Sequence, residues 1–152
     1  MNTLELNGHD LKEKAASLAK FLEIPENEVA SQICDHYGMT HFLTDEGEYA
    51  IATDTEADEA AKEAVLDSLW AFNSSFILSQ CDLPEELEEG LKSAQEKQCE
   101  SANEWILALV KKCCGIQAFV DAAIQADGRG HFLAGYDNEE NEVRGYYIYR
   151  TN

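Results

Sequence analysis

The chain is short of basic residues and of long apolar runs. Eleven lysines and arginines face thirty aspartates and glutamates, for a net charge of −19. So acidic a surface repels phosphate, which argues against direct binding of nucleic acid and of anionic membranes. No apolar run reaches the length of a transmembrane helix. The start, "MNTLELNGHDLKEK", lacks the basic end and apolar core of a signal peptide, so the expected compartment is the cytoplasm. The two prolines leave little room for a proline-rich linker. Five cysteines, Cys34, Cys81, Cys99, Cys113 and Cys114, are odd in number and irregular in spacing. They read as reduced, structural thiols rather than a disulfide framework.

Several signatures are also missing. There is no Walker loop, no dinucleotide fingerprint and no nucleophile elbow, so no cofactor is expected. Cys34, His36 and His41 form C-x-H-x₄-H without a partner pair, which falls short of a zinc site. A cysteine–histidine nucleophile would need a lowered thiol pKa, and acidic surroundings act the other way. No metal and no catalytic residue is assigned from the sequence.

What is present suits one globular domain over residues 1–152, with 45 % hydrophobic residues and length enough for a core. Residues 9–22 place Leu11, Ala15, Leu18 and Leu22 on one helical face, with Asp10 as a cap. A short helix is expected from Pro25 to Cys34. "MTHFLTDEGEYAIATD" reads as a hairpin with arms at 39–44 and 49–53. From Asp54 to Gln80 the stripe Ala61, Val65, Leu69, Phe72 and Phe76 predicts a central helix, widened by Leu66, Trp70 and Ile77. Thr55-x-x-Asp58 is its candidate capping box. Residues 81–113 are expected to be helical, opened by Pro84 after Asp82 as a candidate cap and kinked at Gly90. "IQAFVDAAIQA" closes the helical part before Gly128. "RGHFLAGY" and "VRGYYIYRT" then alternate as strand arms joined by "DNEENE". The expected class is α+β, a small antiparallel sheet from two hairpins packed with four to five helices.

The acids are unevenly spread. Residues 45–104 hold seventeen acids and three lysines. Glu56, Glu59, Glu63 and Asp67 recur at helical spacing, as do Glu85, Glu88 and Glu89, with Glu96, Glu100 and Glu104 continuing every four residues. Like charges so placed each cost a helix a few tenths of a kcal/mol, about 0.2–0.5. The plain reading is a solvated face that keeps the chain soluble. The sharper reading is a surface for a basic protein, with carboxylates standing where phosphates would. Glu56, Glu59, Glu63, Asp67, Glu85, Glu88, Glu89 and Glu96 are its candidate contacts.

A second candidate is the C-terminal group Arg129, His131, Asp137, Glu140 and Tyr147, which could form an enzyme site. A third is an oligomerising patch at Tyr146–Tyr149. The segments "EYAIATDTEADEAAKEAVLDSLWAFNSSFI" and "DGRGHFLAGYDNEENEVRGYYIYRTN" resemble small uncharacterised acidic proteins encoded by bacteriophages and prophages. The resemblance implies a phage origin and carries no activity and no site residue. Together with the acid rows it gives the leading expectation: a non-enzymatic accessory protein that binds a basic, nucleic-acid-handling host protein, of antirestriction or anti-CRISPR type. The oligomeric state is left open.

Overall fold

A computed structural model describes residues 3–152, with the side chains of residues 3–9 and 31–36 outside the description. The chain forms two compact units. One comprises residues 1–61 and 129–152; the other is the continuous segment 62–128. The class is α+β.

The first unit is built on an antiparallel sheet. Its strands are β1 (Ala30–His36), β2 (Met39–Thr44), β3 (Gly47–Ala52), β4 (Asn141–Val143) and β5 (Tyr146–Arg150), in the order β1-β2-β3-β5-β4. The predicted hairpin is present as β2 and β3, paired Phe42 to Tyr49 and His41 to Ala50. Thr44 secures its turn by accepting the Glu46 and Gly47 N–H groups through Oγ1, each at 3.2 Å. Strand alternation sends Phe42, Tyr49, Ile51 and Ile148 to one face, where they pack with Leu18 of helix α1 (Thr3–Leu22). Ala15 and Leu22 complete that contact, while Leu11 stays exposed. Asp10 lies inside α1 rather than capping it, and pairs with Lys14 at 2.9 Å. The opposite face carries His41, Ala50, Ala52 and Tyr149, all buried.

Two expected elements change type. Residues 25–34 are no helix: a single 3-10 turn at Glu26–Glu28 leads into β1. The gain comes from hairpin pairing, because Ala30, Ser31 and Gln32 find backbone partners on β2, the next strand in the chain, and ladder pairing overrides a weak local helix preference. "RGHFLAGY" is no strand. It opens helix α7 (Arg129–Leu133), whose Gly130 carbonyl accepts the Ala134 N–H at 2.8 Å. The C-terminal hairpin is therefore β4–β5. Its turn is Arg144–Gly145, with φ of 57° and 85°, the paired positive angles of a two-residue type I′ turn. "DNEENE" supplies no turn of that hairpin; its Asn141 and Glu142 belong to β4.

The chain enters the second unit within helix α2 (Asp54–Asp67). The long helix expected to Gln80 is broken: α2 stops at Asp67, a 3-10 turn covers Leu69–Ala71, and α3 runs Ser74–Gln80. Asn73 restarts the chain as N-cap by accepting the Ser75 N–H at 2.9 Å. The next stretch also divides, into α4 (Glu88–Gln98) and α5 (Asn103–Cys113), after a 3-10 turn that opens at Pro84. The break falls at Cys99, which takes φ 51° and ψ −130°, not at Gly90. Helix α6 (Ile116–Asp127) ends where expected, before Gly128. Val65, Leu69, Ile77, Ile106, Val110 and Phe119 are fully buried. Phe72, Phe76 and Phe119 pack with ring centroids 5.5–5.9 Å apart. The interior amide of Gln95 donates to the Phe72 carbonyl at 2.9 Å, tying α4 to the turn before α3.

Candidate functional site

The acidic residues divide into those the fold consumes and those it leaves facing water. Glu56 is consumed. Its carboxylate accepts the Thr53 N–H at 2.9 Å while Thr53 Oγ1 accepts the Glu56 N–H at 3.2 Å. This is a capping box, set two residues before the Thr55-x-x-Asp58 frame read from the sequence. The same carboxylate pairs with Lys14 at 2.9 Å. The Lys14 side chain is 1 % exposed and also donates to Thr40 Oγ1 at 3.1 Å. Burial works against both charges, but the Thr53 hydrogen bond and Lys14 outweigh it and hold the Glu56 carboxyl below its ordinary pKa. Burial would likewise lower Lys14, yet Asp10 and Glu56 raise it.

Asp54 and Asp58 are consumed as well. One turn apart on α2, both meet Arg129 Nη1 at 2.9 Å. Arg129 Nε donates to Glu140 at 2.7 Å, and the guanidinium carbon lies 4.6 Å from the centre of the Tyr147 ring. Buried Tyr149 donates its hydroxyl to Glu140. Burial first, and then that carboxylate, push the Tyr149 pKa up, so the hydroxyl stays protonated. Burial alone would lower Arg129; Tyr149, Asp54 and Glu140 raise it instead. Gly130 makes room for this arrangement. A Cβ there would stand 2.6 Å from the Asn138 carbonyl oxygen and 2.9 Å from the Glu140 nitrogen.

Of the C-terminal candidates, Arg129, Glu140 and Tyr147 therefore converge, while His131 and Asp137 are not among the described partners of Arg129. His131 is exposed, edge-on to Phe132 at 5.0 Å between ring centres. Asp137 accepts the Glu139 N–H at 3.0 Å and shapes its own loop. The polar atoms around Arg129 are directed at one another, which makes the cluster a brace between α2, α7 and the 137–140 loop. Tyr149 and Ile148 of the expected oligomerising patch lie in the interior. Cys34 and His36 fall outside the described side chains. No helix among the described residues is long and apolar enough to cross a membrane.

The remaining acids differ. Glu59, Glu63 and Asp67 are exposed at successive turns of α2. Among the described residues none of them enters an ion pair, and the last turn of α2 holds no basic residue. In the segment 62–128, twelve acids face five lysines, and every ion pair among the described residues falls outside that segment. Glu85, Glu89 and Glu96 are exposed and Glu88 half-buried. Glu88 and Glu89 sit in the first turn of α4, where the helix dipole favours acids. Glu63 and Asp67 approach the C-terminal end of α2, and Glu96 that of α4, where the dipole disfavours them.

The consumed acids were partly legible. Thr53-x-x-Glu56 is a capping signature on its face, whereas the long-range match of Arg129 to Asp54 and Asp58 has no local signal. Comparison with protein-family models, curated proteins and solved structures returned no match to this chain.

Proposed function

We propose that the chain is a phage accessory protein that acts in the host cytoplasm by binding a basic, nucleic-acid-handling host protein. The observation that carries this reading is the row Glu59, Glu63 and Asp67. It is exposed, free of ion pairs among the described residues, and runs into a helix end that repels it. The fold has no use for acids there and is weakened by them. A basic partner gives them a use, since such charges steer and select an oppositely charged surface. Glu85, Glu88, Glu89 and Glu96 extend the supporting set, while Glu56 leaves it because Lys14 and Thr53 occupy its carboxylate. Spacing along such a row, about 5–6 Å per turn, is close to that of phosphates on one strand, which supports the phosphate-mimic version.

The test is capture from host lysate at low and high salt, comparing the natural chain with a variant carrying Gln at Glu59, Glu63, Glu85, Glu89 and Glu96 and Asn at Asp67. The expected partner is retained at low salt only, is released by duplex DNA, and is lost by the variant. The same protein retained by both chains at both salts would refute the reading.

A further inference from the structure

The segment 62–128 also carries an apolar groove of about 410 Å³, lined by Leu83, Leu87, Leu91, Trp105 and Leu109, with Glu86 on its wall. Leu87 is 49 % and Trp105 39 % exposed. The Trp105 indole N–H donates to Gln98 at 2.8 Å, which fixes the ring while leaving apolar surface open.

Gly90 also lines this groove. It sits within α4, where glycine weakens a helix relative to alanine. No close packing requires that glycine: apart from its chain neighbours and its own helix backbone, no heavy atom of the described residues lies within 4 Å of where its Cβ would be. A side chain there would project into open space along the groove. An unoccupied position kept bare at a cost to the helix is one that another chain can approach.

We infer that this groove receives an amphipathic helix of the partner, with bulky apolar residues on one face and lysine or arginine flanking them. Helices dock in this way by laying apolar anchors into a groove, and the volume lies within the range of binding clefts, about 300–1,000 Å³. Charge selects the occupant. Glu86 lines the groove, and the exposed charged residues next in sequence to its lining include three acids, Glu85, Glu89 and Glu104, against one lysine, Lys92. A second copy of this chain, itself at −19, would be repelled. The inference rests on the acidic-surface reading for the sign of the partner's charge and adds an apolar anchor to it.

The test uses labelled peptides of about 18 residues, long enough for five helical turns. One carries leucines on a single helical face with lysines elsewhere, one is its scramble, and one has glutamate for lysine. Fluorescence anisotropy is read with the natural chain and with Gly90→Leu, Leu87→Ser and a Glu59→Gln/Glu63→Gln/Asp67→Asn variant. Gly90→Leu fills the groove without removing a contact, and circular dichroism checks that it folds. The amphipathic basic peptide is expected to bind at least about tenfold tighter than its scramble, a difference of about 1.4 kcal/mol. Gly90→Leu and Leu87→Ser are expected to erase that difference, and the α2 variant to weaken both basic peptides alike. Equal binding of the two basic peptides, or an unchanged preference in Gly90→Leu, overturns the groove and leaves the acidic surface standing. Equal binding of the glutamate peptide overturns charge selection. A dimer that Gly90→Leu dissolves assigns the groove to a second copy instead. Absence of binding by any peptide overturns this inference, while the lysate capture with the α2 acids decides the acidic surface separately.

Discussion

Replacing Arg129 with methionine removes one guanidinium from three carboxylates and a tyrosine ring. The Arg129 side chain is 11 % exposed and Glu140 32 %, against 68 % for Asp54 and 64 % for Asp58. The Glu140 contact is therefore the strong one, a charge-assisted hydrogen bond of about 1.5–3 kcal/mol. The two well-exposed aspartates contribute about 0.2–1 kcal/mol each, and the face of Tyr147 about 0.5–1 kcal/mol. The expected loss is about 3 kcal/mol. The chain reports on itself by region: both tryptophans lie in 62–128 and all six tyrosines outside it. Urea unfolding read by tyrosine absorbance should show a midpoint lowered by about 1.5 M, for a slope near 2 kcal/mol/M, with a smaller change in tryptophan emission. Raising the salt should shrink the part due to Asp54 and Asp58 and leave that due to Glu140. A tyrosine-read midpoint within about 0.3 M of the natural chain would refute the brace.

Lowering the pH tests Glu56. Its carboxyl is held below the ordinary glutamate value in the folded chain by Thr53 and Lys14, against burial, so its contribution is complete above the unfolded pKa and is lost as pH falls through the folded one. Glu56→Gln should flatten the acid limb of the stability curve, and an unchanged limb would remove Glu56 from the account. Cys99→Gly should raise stability by about 1 kcal/mol, because φ 51° with ψ −130° strains any residue with a side chain; a loss of stability in thermal melts would contradict this. Burial pushes the Cys81 thiol up to about 11, so iodoacetamide at pH 8 should modify exposed Cys99 and Cys113 well before Cys81, as peptide mapping would read. Gly130→Ala should cost about 1–3 kcal/mol through collision with the Asn138–Glu140 backbone, and a neutral result would mean that the loop yields freely.

Local signals carried the elements whose partners are near in sequence. The β2–β3 hairpin, α6 and the alternation of Tyr146 to Arg150 follow from periodicity and turn residues alone. Helix breaks at Ser68 and Cys99 did not, because nothing in "VLDSLWAF" or "KQCESANE" forbids continuing the helix; tertiary packing interrupts it. Strand β1 is the exception among near-neighbour pairings: its turn into β2 uses Tyr37 at positive φ, which few residues other than glycine adopt. The C-terminal hairpin was misplaced because its turn uses Arg144 at positive φ, an uncommon choice. For the acids, sequence spacing found the rows but could not tell used from unused, since that depends on Lys14 and Arg129, which lie far away along the chain.

The pairing of β3 with β5 joins Ile51 to Ile148, across the entire 62–128 segment. Closing so long a loop costs entropy before any ladder bond repays it. The helices inside the segment meet mostly near neighbours, so they can form while the sheet is still open. Once collapsed, they bring the two strand ends closer and shorten the effective loop. The refolding order that follows puts tryptophan burial ahead of tyrosine burial, with the sheet of the first unit completed only after the inserted helices have taken shape.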